Sequence, residues 1–155
     1  MFKGVEDCRR KNFWIIRKEL APLKKFWVVL YGSHARDDAD PRSDIDIAVI
    51  TRCKDPRKNA KIYYEILGMI PPKYDVKIFE EMPLYLKARV FLEGIVIFGY
   101  PPDVTEYMYQ FWKIWKDMEK RVRENLFKSI KERIETIKRV RKILAKRKKH
   151  DFDDC

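Results

Sequence analysis

The chain has 155 residues, of which 46% are hydrophobic and 38% charged, and its formal net charge is +11. Such a length builds one domain with a sizeable core and is too short for two full domains. The longest runs without a charged residue, 26–35 and 94–102, are far shorter than the roughly 20 apolar residues of a membrane span. Because the acidic pair Glu6-Asp7 comes early, we expect no secretory signal and a cytoplasmic protein.

The first part of the chain predicts a helix and then two strands. Apolar residues recur at helical spacing over Val5–Leu20. The aromatic and β-branched run Phe26–Tyr31 predicts a buried strand. A polar loop at residues 37–42 then separates it from a second predicted strand, Ile45–Ile50.

The next part alternates helices with strands. Asp55 and Pro56 are typical of a helix start, and the predicted helix continues to about residue 69. A third strand is predicted at Tyr74–Phe79, a helix between Pro83 and Gly94, and a fourth strand at Ile95–Phe98. This order predicts an α/β domain over residues 1–103.

Residues 104–155 predict a separate, helical extension. Neither Gly nor Pro occurs after residue 102, so one long helix, or two with a break near Asn125, is expected. Apolar residues between Phe111 and Leu144 recur at a mean spacing near the ~3.6 residues of a straight helix. A helix of that length exceeds the width of the domain, so a fold-back, a second subunit or a partner must cover its far end.

The extension is strongly basic. Between Arg121 and Lys149 the sequence has 13 Lys and Arg residues and only three acidic residues. A basic amphipathic helix of this kind attracts polyanions, and RNA, DNA or an acidic protein are comparable candidates.

Two short motifs carry the candidate chemistry. Gly32-Ser33 follows a buried strand, where unpaired backbone N–H groups of a following helical turn would bind a phosphate. Asp44 and Asp46 are alternate residues at a strand start, so both carboxylates point to one face. Two carboxylates on one face indicate a bound cation, and Mg²⁺ prefers such oxygen ligands.

A third carboxylate is predicted at Asp75, on the strand face opposite Val76 and Ile78. Three aspartates would hold two metal ions beside a polyphosphate, an arrangement suited to in-line displacement at phosphorus.

The spacing from Gly32-Ser33 to Asp44-Ile45-Asp46 resembles the signature of the DNA polymerase β-like nucleotidyltransferase superfamily, and the small size resembles its minimal nucleotidyltransferases. The similarity spans residues 26 to about 100 and includes the strand with the third acidic residue. The resemblance implies a mixed sheet of about four strands flanked by helices. It also implies transfer of a nucleoside monophosphate from an NTP to a hydroxyl, with release of pyrophosphate.

The resemblance also implies roles for individual residues. Gly32 and Ser33 would hold the β and γ phosphates, and Arg36 and Ser43 complete the expected nucleotide-binding set. The expected catalytic and metal-binding residues are Asp44, Asp46 and Asp75. Two Mg²⁺ ions are expected, with Mn²⁺ as a substitute.

Several other polar and aromatic residues have a simple structural explanation. We expect His34 to be a loop residue and not a general base. Arg42 and Lys77 either contact phosphate or offset the acidic cluster. Four aromatic residues at helical spacing are expected in the core and not as a base-stacking set: Tyr107, Tyr109, Trp112 and Trp115.

The resulting functional hypothesis is a Mg²⁺-dependent nucleotidyltransferase that favours ATP and transfers AMP to a hydroxyl. Minimal members of the family also resemble antitoxins that act on a helical HEPN-type toxin, so such a partner is expected, with a homo-oligomer through the long helix as an alternative. The competing hypothesis is a catalytically vestigial module that binds nucleic acid, or assembles with a partner, through the basic helix.

Overall fold

The computed structural model describes residues 11–36, 40 and 42–153, and within them helices alternate with strands. The helices are α1 (Lys11–Glu19), α2 (Ser33–Arg36), α3 (Pro56–Leu67), α4 (Leu84–Glu93) and α5 (Pro101–Asp153). The strands are β1 (Trp27–Tyr31), β2 (Ile45–Ile50), β3 (Tyr74–Ile78) and β4 (Ile95–Phe98). Short 3₁₀ turns cover Ala21–Leu23 and Phe79–Glu81.

These bounds confirm the four predicted strands to within one residue. The first predicted helix is present over its described part, whereas its residues 5–10 lie outside the described residues. Of the predicted loop at residues 37–42, only Asp40 and Arg42 are described. At α3, the Asp55 carboxylate accepts a hydrogen bond of 3.0 Å from the backbone N–H of Arg57, which is the helix cap expected from the sequence.

The four strands form one mixed sheet in the order β3-β2-β1-β4. β1 is antiparallel to β2 and to β4, with an irregularity between Val28 and Val29, and β2 is parallel to β3. The mixed sheet flanked by helices agrees with the fold class expected from the sequence.

Each face of the sheet has its own apolar core. On one face, α1 and α3 pack on strand residues that include Val28, Ile47 and Val76. On the other face, α4 and the start of α5 pack on strand residues that include Val29 and Ala48. The sheet is therefore covered on both faces.

α5 is a single helix from Pro101 to Asp153, so the alternative of a break near Asn125 is wrong. It begins at Pro101, because proline is well suited to the first turn of a helix, where no N–H is needed. Among the described residues, no helix has the length and apolar character needed to cross a bilayer.

The chain divides into two compact units after Trp115, whereas the sequence predicts a division after residue 103. The physical reason is the start of α5, where Val104 and Met108 are buried in the core of the first unit. In the second unit, every side chain described between residues 116 and 147 is exposed except Glu119, which is partly buried.

The four aromatic residues of α5 pack around the edge of the second core. Tyr107 contacts Phe79, and its hydroxyl donates a hydrogen bond of 3.1 Å to Glu80. Trp112 is partly buried and stacks on the more exposed Tyr109. Three of the four are partly buried as expected, whereas Tyr109 is 43% exposed and lies outside the core, because its side of the helix faces away from the sheet.

Candidate active site

Three side chains lie in a row across the sheet, one on each of three neighbouring strands. Tyr31 pairs with Asp46 in the antiparallel register of β1 and β2, and Asp46 pairs with Asp75 in the parallel register of β2 and β3. Side chains of directly paired residues lie on the same face of a sheet. The register therefore brings Asp46 and Asp75 together, as the sequence predicts, and it places Tyr31 beside them.

The third predicted carboxylate, Asp44, lies just before β2 and is exposed. Its separation from Asp46 by one residue places both on the same side of the extended chain. The negative charge of Asp44 contributes to the raised pKa of Asp46, but less than burial and the charge of Asp75 do.

The electrostatics centre on Asp46. Partial burial raises the pKa of the Asp46 carboxyl above its ordinary value of 3.8, and the charge of neighbouring Asp75 raises it further. Lys77 on the same strand as Asp75 opposes this effect, as does His34. The folded protein therefore disfavours the negative charge of Asp46, and a bound cation would relieve that cost.

Within the described residues, no three His, Cys, Asp or Glu side chains are already arranged as a metal site. The pair of Asp46 and Asp75 nevertheless fits a divalent cation. Two adjacent carboxylates that repel each other supply the hard oxygen ligands that Mg²⁺ prefers, and this ion commonly completes its shell with water and substrate phosphates. The predicted third ligand, Asp44, is exposed just before β2 and is not grouped with this pair as a ready-made metal site among the described residues.

Gly32 connects the strand to the first turn of α2 and lies directly against Asp46. Its φ of +75° is in the left-handed region, which favours glycine. A Cβ at this position would collide with the Asp46 carboxylate. The Gly32 backbone is therefore packed against the Asp46 carboxylate, and a side chain at position 32 would displace that carboxylate.

The first turn of α2 presents its backbone toward this site. The N–H groups of Ala35 and Arg36 both donate to the Gly32 carbonyl at 3.1 Å. The N–H groups that precede them in a helical turn have no partner within the helix. Gly32 and Ser33 are thus placed as the sequence predicts, at a turn suited to an anion.

His34 fixes the loop that leads to the aspartates. Its Nε2 lies 3.1 Å from the carbonyl oxygen of Ser43, and the Ser43 N–H donates to the carbonyl of Asp40 at 2.9 Å. Ser43 is partly buried beside the start of β2. His34 lies within α2 and not in a loop as expected, because the helical turn begins directly after Gly32, and this contact links α2 to the segment before β2.

Arg36 lies close in sequence to the site but makes a different contact. Its Nη1 donates to both oxygens of Glu93 at 2.9 Å, and Glu93 also accepts from Arg89 on the same helix. The pair connects α2 with the end of α4. Arg36 would therefore have to exchange a carboxylate for a phosphate in order to bind a triphosphate as predicted.

Arg42 and Lys77 differ in their surroundings. The backbone N–H of Arg42 donates to Asp40 Oδ1 at 3.0 Å, and its side chain is exposed. Lys77 is exposed on β3, and its charge lowers the pKa of Asp46. Of the two interpretations left open, the structure supports charge compensation for Lys77.

Sequence reasoning missed Tyr31. The residue is 4% exposed, and its hydroxyl has no hydrogen-bond partner among the described residues. Burial raises the pKa of this phenol, and the charges of Asp46 and Asp75 raise it further. The available signal was its alternation with Val29 on β1, which places the ring on the face of the aspartates.

Two comparisons of sequence agree on a family. Residues 23–103 match the model of the family described as "Polymerase beta, Nucleotidyltransferase". A protein of Methanocaldococcus jannaschii named "Putative protein adenylyltransferase MJ1547" is 46% identical over 111 residues, which cover 72% of this chain and 86% of the relative.

Solved structures share the fold. A chain in a crystal structure described as a toxin–antitoxin with AMP-PNP matches with a TM-score of 0.58 and 19% identity, over 77% of this chain and 98% of that one. A chain in the complex of tri-AMPylated Shewanella oneidensis HEPN toxin with MNT antitoxin matches with a TM-score of 0.52 and 18% identity, over 77% and 95%. The matched segment, residues 23–103, includes Tyr31, Asp46 and Asp75. The chain therefore belongs to the polymerase β-type nucleotidyltransferases.

Proposed function

We propose that this nucleotidyltransferase transfers AMP from ATP to a hydroxyl group of a protein and releases pyrophosphate. The observation that carries the proposal is the pairing of Asp46 with Asp75 beside the left-handed Gly32. It joins an acidic, cation-binding pair to a main-chain turn suited to phosphate. Because the reaction consumes ATP, we place it in the cytosol.

The choice of AMP and of a protein acceptor rests on the relatives. The protein of M. jannaschii is named as a protein adenylyltransferase and shares 46% of residues over the aligned region. One structural neighbour contains AMP-PNP, and another contains an AMPylated HEPN toxin. These descriptions support ATP as the nucleotide and a HEPN-type helical protein as the partner.

The nucleotide would lie with its triphosphate at the start of α2. Backbone N–H groups of Gly32 and Ser33 would donate to the β and γ phosphates, and the Ser33 and Ser43 hydroxyls are the nearby side-chain donors. Ion pairing holds Arg36 at the rim. The fixed turn orients the phosphates before reaction, so that little reorganisation is needed.

The aspartates would hold the divalent cations. Asp44 and Asp46 would bind two ions and Asp75 one of them, with Mg²⁺ as the expected metal and Mn²⁺ as a substitute. Bound there, the ions would lower the cost of deprotonating the acceptor hydroxyl and neutralise charge on the leaving pyrophosphate.

The transfer itself makes one bond and breaks one. The acceptor oxygen attacks the α-phosphorus, and the bond from that phosphorus to the bridging oxygen of the β-phosphate breaks. The acceptor proton passes to Asp75 or to solvent, and pyrophosphate takes the electron pair of the broken bond. Asp75 is suited to this step because it is partly exposed at the edge strand of the sheet.

We assign the partner surface to the apolar stripe of α5. Val122, Leu126, Ile130 and Ile134 recur every four residues and are each 46% to 58% exposed. Such a row of half-exposed residues is suited to packing against another helix. A second copy of this chain is the alternative occupant, although the 13 basic residues between Arg121 and Lys149 would repel it.

The second candidate function is nucleic-acid binding through the same helix. The observation in its favour is the exposure of the basic side chains between residues 121 and 147. In that case RNA would bind with a steep salt dependence and without any need for ATP.

The test incubates the full-length protein with Mg²⁺, α-labelled ATP and a lysate of its own source, and asks whether label enters protein, RNA or a small metabolite. We expect label in protein. Asp46→Asn should lower the rate about a thousandfold, equivalent to ~4 kcal/mol of transition-state stabilisation. The matched control is Asp117→Asn, the same substitution at an exposed residue of the second unit, which should keep the wild-type rate.

Two results would contradict the proposal. One is label entering protein at an undiminished rate with Asp46→Asn. The other is an absence of Mg²⁺-ATP binding in calorimetry, together with RNA binding that weakens steeply with salt, which would establish the second candidate.

A further inference from the structure

A groove of about 520 Å³ lies beside the aspartate row, at the outer edge of β3. One wall is formed by α3, through Ala60 and Tyr64, and the other by the start of α4 and the turn before it, through Met82 and Tyr85. Asp75, a member of the aspartate row, is also one of the lining residues of the groove. The groove is thus continuous with the proposed active site.

The floor of the groove is an unpaired strand edge. In the order β3-β2-β1-β4, β3 pairs with β2 on one side and has no partner strand on the other among the described residues. Backbone N–H and C=O groups on such an edge are available to an extended peptide, which adds to the sheet as a further strand.

The geometry of the displacement determines the side from which the acceptor hydroxyl enters the site. Gly32 follows β1, Asp46 lies on β2 and Asp75 on β3, so the phosphate turn and the groove lie on opposite sides of the aspartate pair. In-line displacement requires the attacking oxygen and the leaving group to be on opposite sides of the phosphorus. With pyrophosphate at Gly32, the acceptor must come from the β3 side.

The lining of the groove favours a peptide over a nucleic acid. Its charged residues are Asp75, Glu81 and Lys77, so the groove lacks the excess of positive charge that a nucleic-acid backbone requires. Asn59 donates to Glu81 Oε1 at 2.8 Å and holds that carboxylate in place. The remaining lining is largely aromatic and aliphatic, including Tyr64 and Tyr85, which are 72% and 55% exposed.

We propose that this groove and the free edge of β3 bind an extended segment of the acceptor protein, which rests on the proposed transfer of AMP to a protein hydroxyl. The acceptor side chain lies on the face of Asp75, and the residue next to it points to the opposite face, because side chains alternate along a strand. That opposite face is the one covered by α3. A large apolar side chain adjacent to the acceptor residue therefore fills the space beside Ala60.

The test compares two tryptophan variants of α3. Ala60→Trp fills the groove from an exposed position, and Lys61→Trp places the same ring on the next residue, which is exposed and outside the groove. The probe is a set of short synthetic peptides with a central Ser, Thr or Tyr, flanked on each side by Gly or by Leu, assayed with Mg²⁺ and α-labelled ATP.

The expected signature is a change in selectivity. Wild type and Lys61→Trp should label Leu-flanked peptides about tenfold more efficiently than Gly-flanked ones, and Ala60→Trp should reduce that ratio to within about twofold by raising the KM of the Leu-flanked set. Calorimetric binding of Mg²⁺-ATP should be the same in all three proteins, since Ala60 does not lie at the phosphate turn.

Each contrary outcome has a separate meaning. If wild type binds Mg²⁺-ATP but labels all peptides equally, labels none, or labels an RNA oligonucleotide in their place, the groove does not bind an extended peptide. The inference also fails if Ala60→Trp keeps the tenfold preference. If wild type binds no Mg²⁺-ATP, the proposed function fails first, and the groove proposal fails with it.

Discussion

The two units of this chain place the same types of apolar residue in opposite environments. In the first unit, Val29, Ile47 and Phe79 are completely buried between the sheet and its helices. In the second unit, Leu126 and Phe127 are 57% and 69% exposed. Helical periodicity therefore identifies which residues share a face, but it does not reveal whether the same chain covers that face.

The difference also separates two sources of stability. The first unit gains from the burial of large side chains, at roughly 25 cal/mol per Å² of apolar surface. The second unit has the main-chain hydrogen bonds of its helix and local ion pairs, such as Arg123 with Glu119 at 2.6 Å. Helices of this kind gain most when another surface covers their apolar face.

The largest expected effect tests this contrast with one residue type. Phe79→Ala should lower the free energy of unfolding by about 3–5 kcal/mol, because the side chain is fully buried, whereas Phe127→Ala should change it by less than ~0.5 kcal/mol. Urea denaturation of both variants measures the difference. A large cost for Phe127→Ala that grows with protein concentration would show that a second copy covers the surface of α5 around Phe127.

The next largest effect is expected at the phosphate turn, where Gly32 is substituted and Gly68 serves as the matched control. Gly32→Ala should cost about 1–2 kcal/mol from its left-handed backbone alone, and the clash with Asp46 should also abolish Mg²⁺-ATP binding. Gly68→Ala should be neutral or slightly stabilising, since its φ is −79° and a Cβ there would make only ordinary contact with the Glu65 carbonyl. Thermal melts and calorimetry provide both measurements. Unchanged ATP binding by Gly32→Ala would contradict the assigned role of the turn.

Within the first unit, two carboxylates should respond to pH with opposite sign. Hydrogen bonds from Lys73 and Tyr74 lower the pKa of Glu19 below 4.5, so its contribution to stability is present above that pH and is lost as pH falls through the lowered pKa. The raised pKa of Asp46 means that stability is lost as pH rises from 3.8 through the folded-state pKa.

Melting temperatures without divalent metal test these signs. Glu19→Gln should be less stable than wild type above pH 4.5, with the deficit vanishing in acid. Asp46→Asn should be equal to wild type in acid and more stable once the pH exceeds 3.8. The same sign for both variants would mean that Asp46 has a stabilising partner and is not held in a repulsive pair.

The smallest expected effect belongs to the exposed helix. Arg123→Gln removes the ion pair with Glu119 and should cost only about 0.3–0.5 kcal/mol, because both groups remain in contact with water. Chemical denaturation at low and at high salt measures this cost, which should decrease with salt. A cost above ~1 kcal/mol would indicate that this surface is buried in solution.

The site was predictable where local rules apply. Alternation along a strand placed Asp46 and Asp75 on a common face, and the apolar runs located the strands that position them. The parallel register of β2 and β3 depends on the whole sheet. It brought together two residues 29 positions apart, which no local rule specifies.

Other features arise only from tertiary structure. The contact of Arg36 with Glu93 spans 57 residues and depends on how α4 packs on the sheet. The buried Tyr31 hydroxyl lacks a hydrogen-bond partner among the described residues because of how the surrounding elements pack, which no sequence pattern specifies. Continuity of α5 across Asn125 could not be predicted because asparagine is tolerated in an exposed helix.

The unpaired edge of β3 also favours aggregation. The main-chain groups that would bind a peptide can equally pair with the β3 edge of another copy of the chain. Lys77 is the fourth of the five residues of this edge strand and is exposed. A cation at that place makes joining two such edges unfavourable, so replacing it with an uncharged residue should raise the tendency to precipitate before it alters the folded structure.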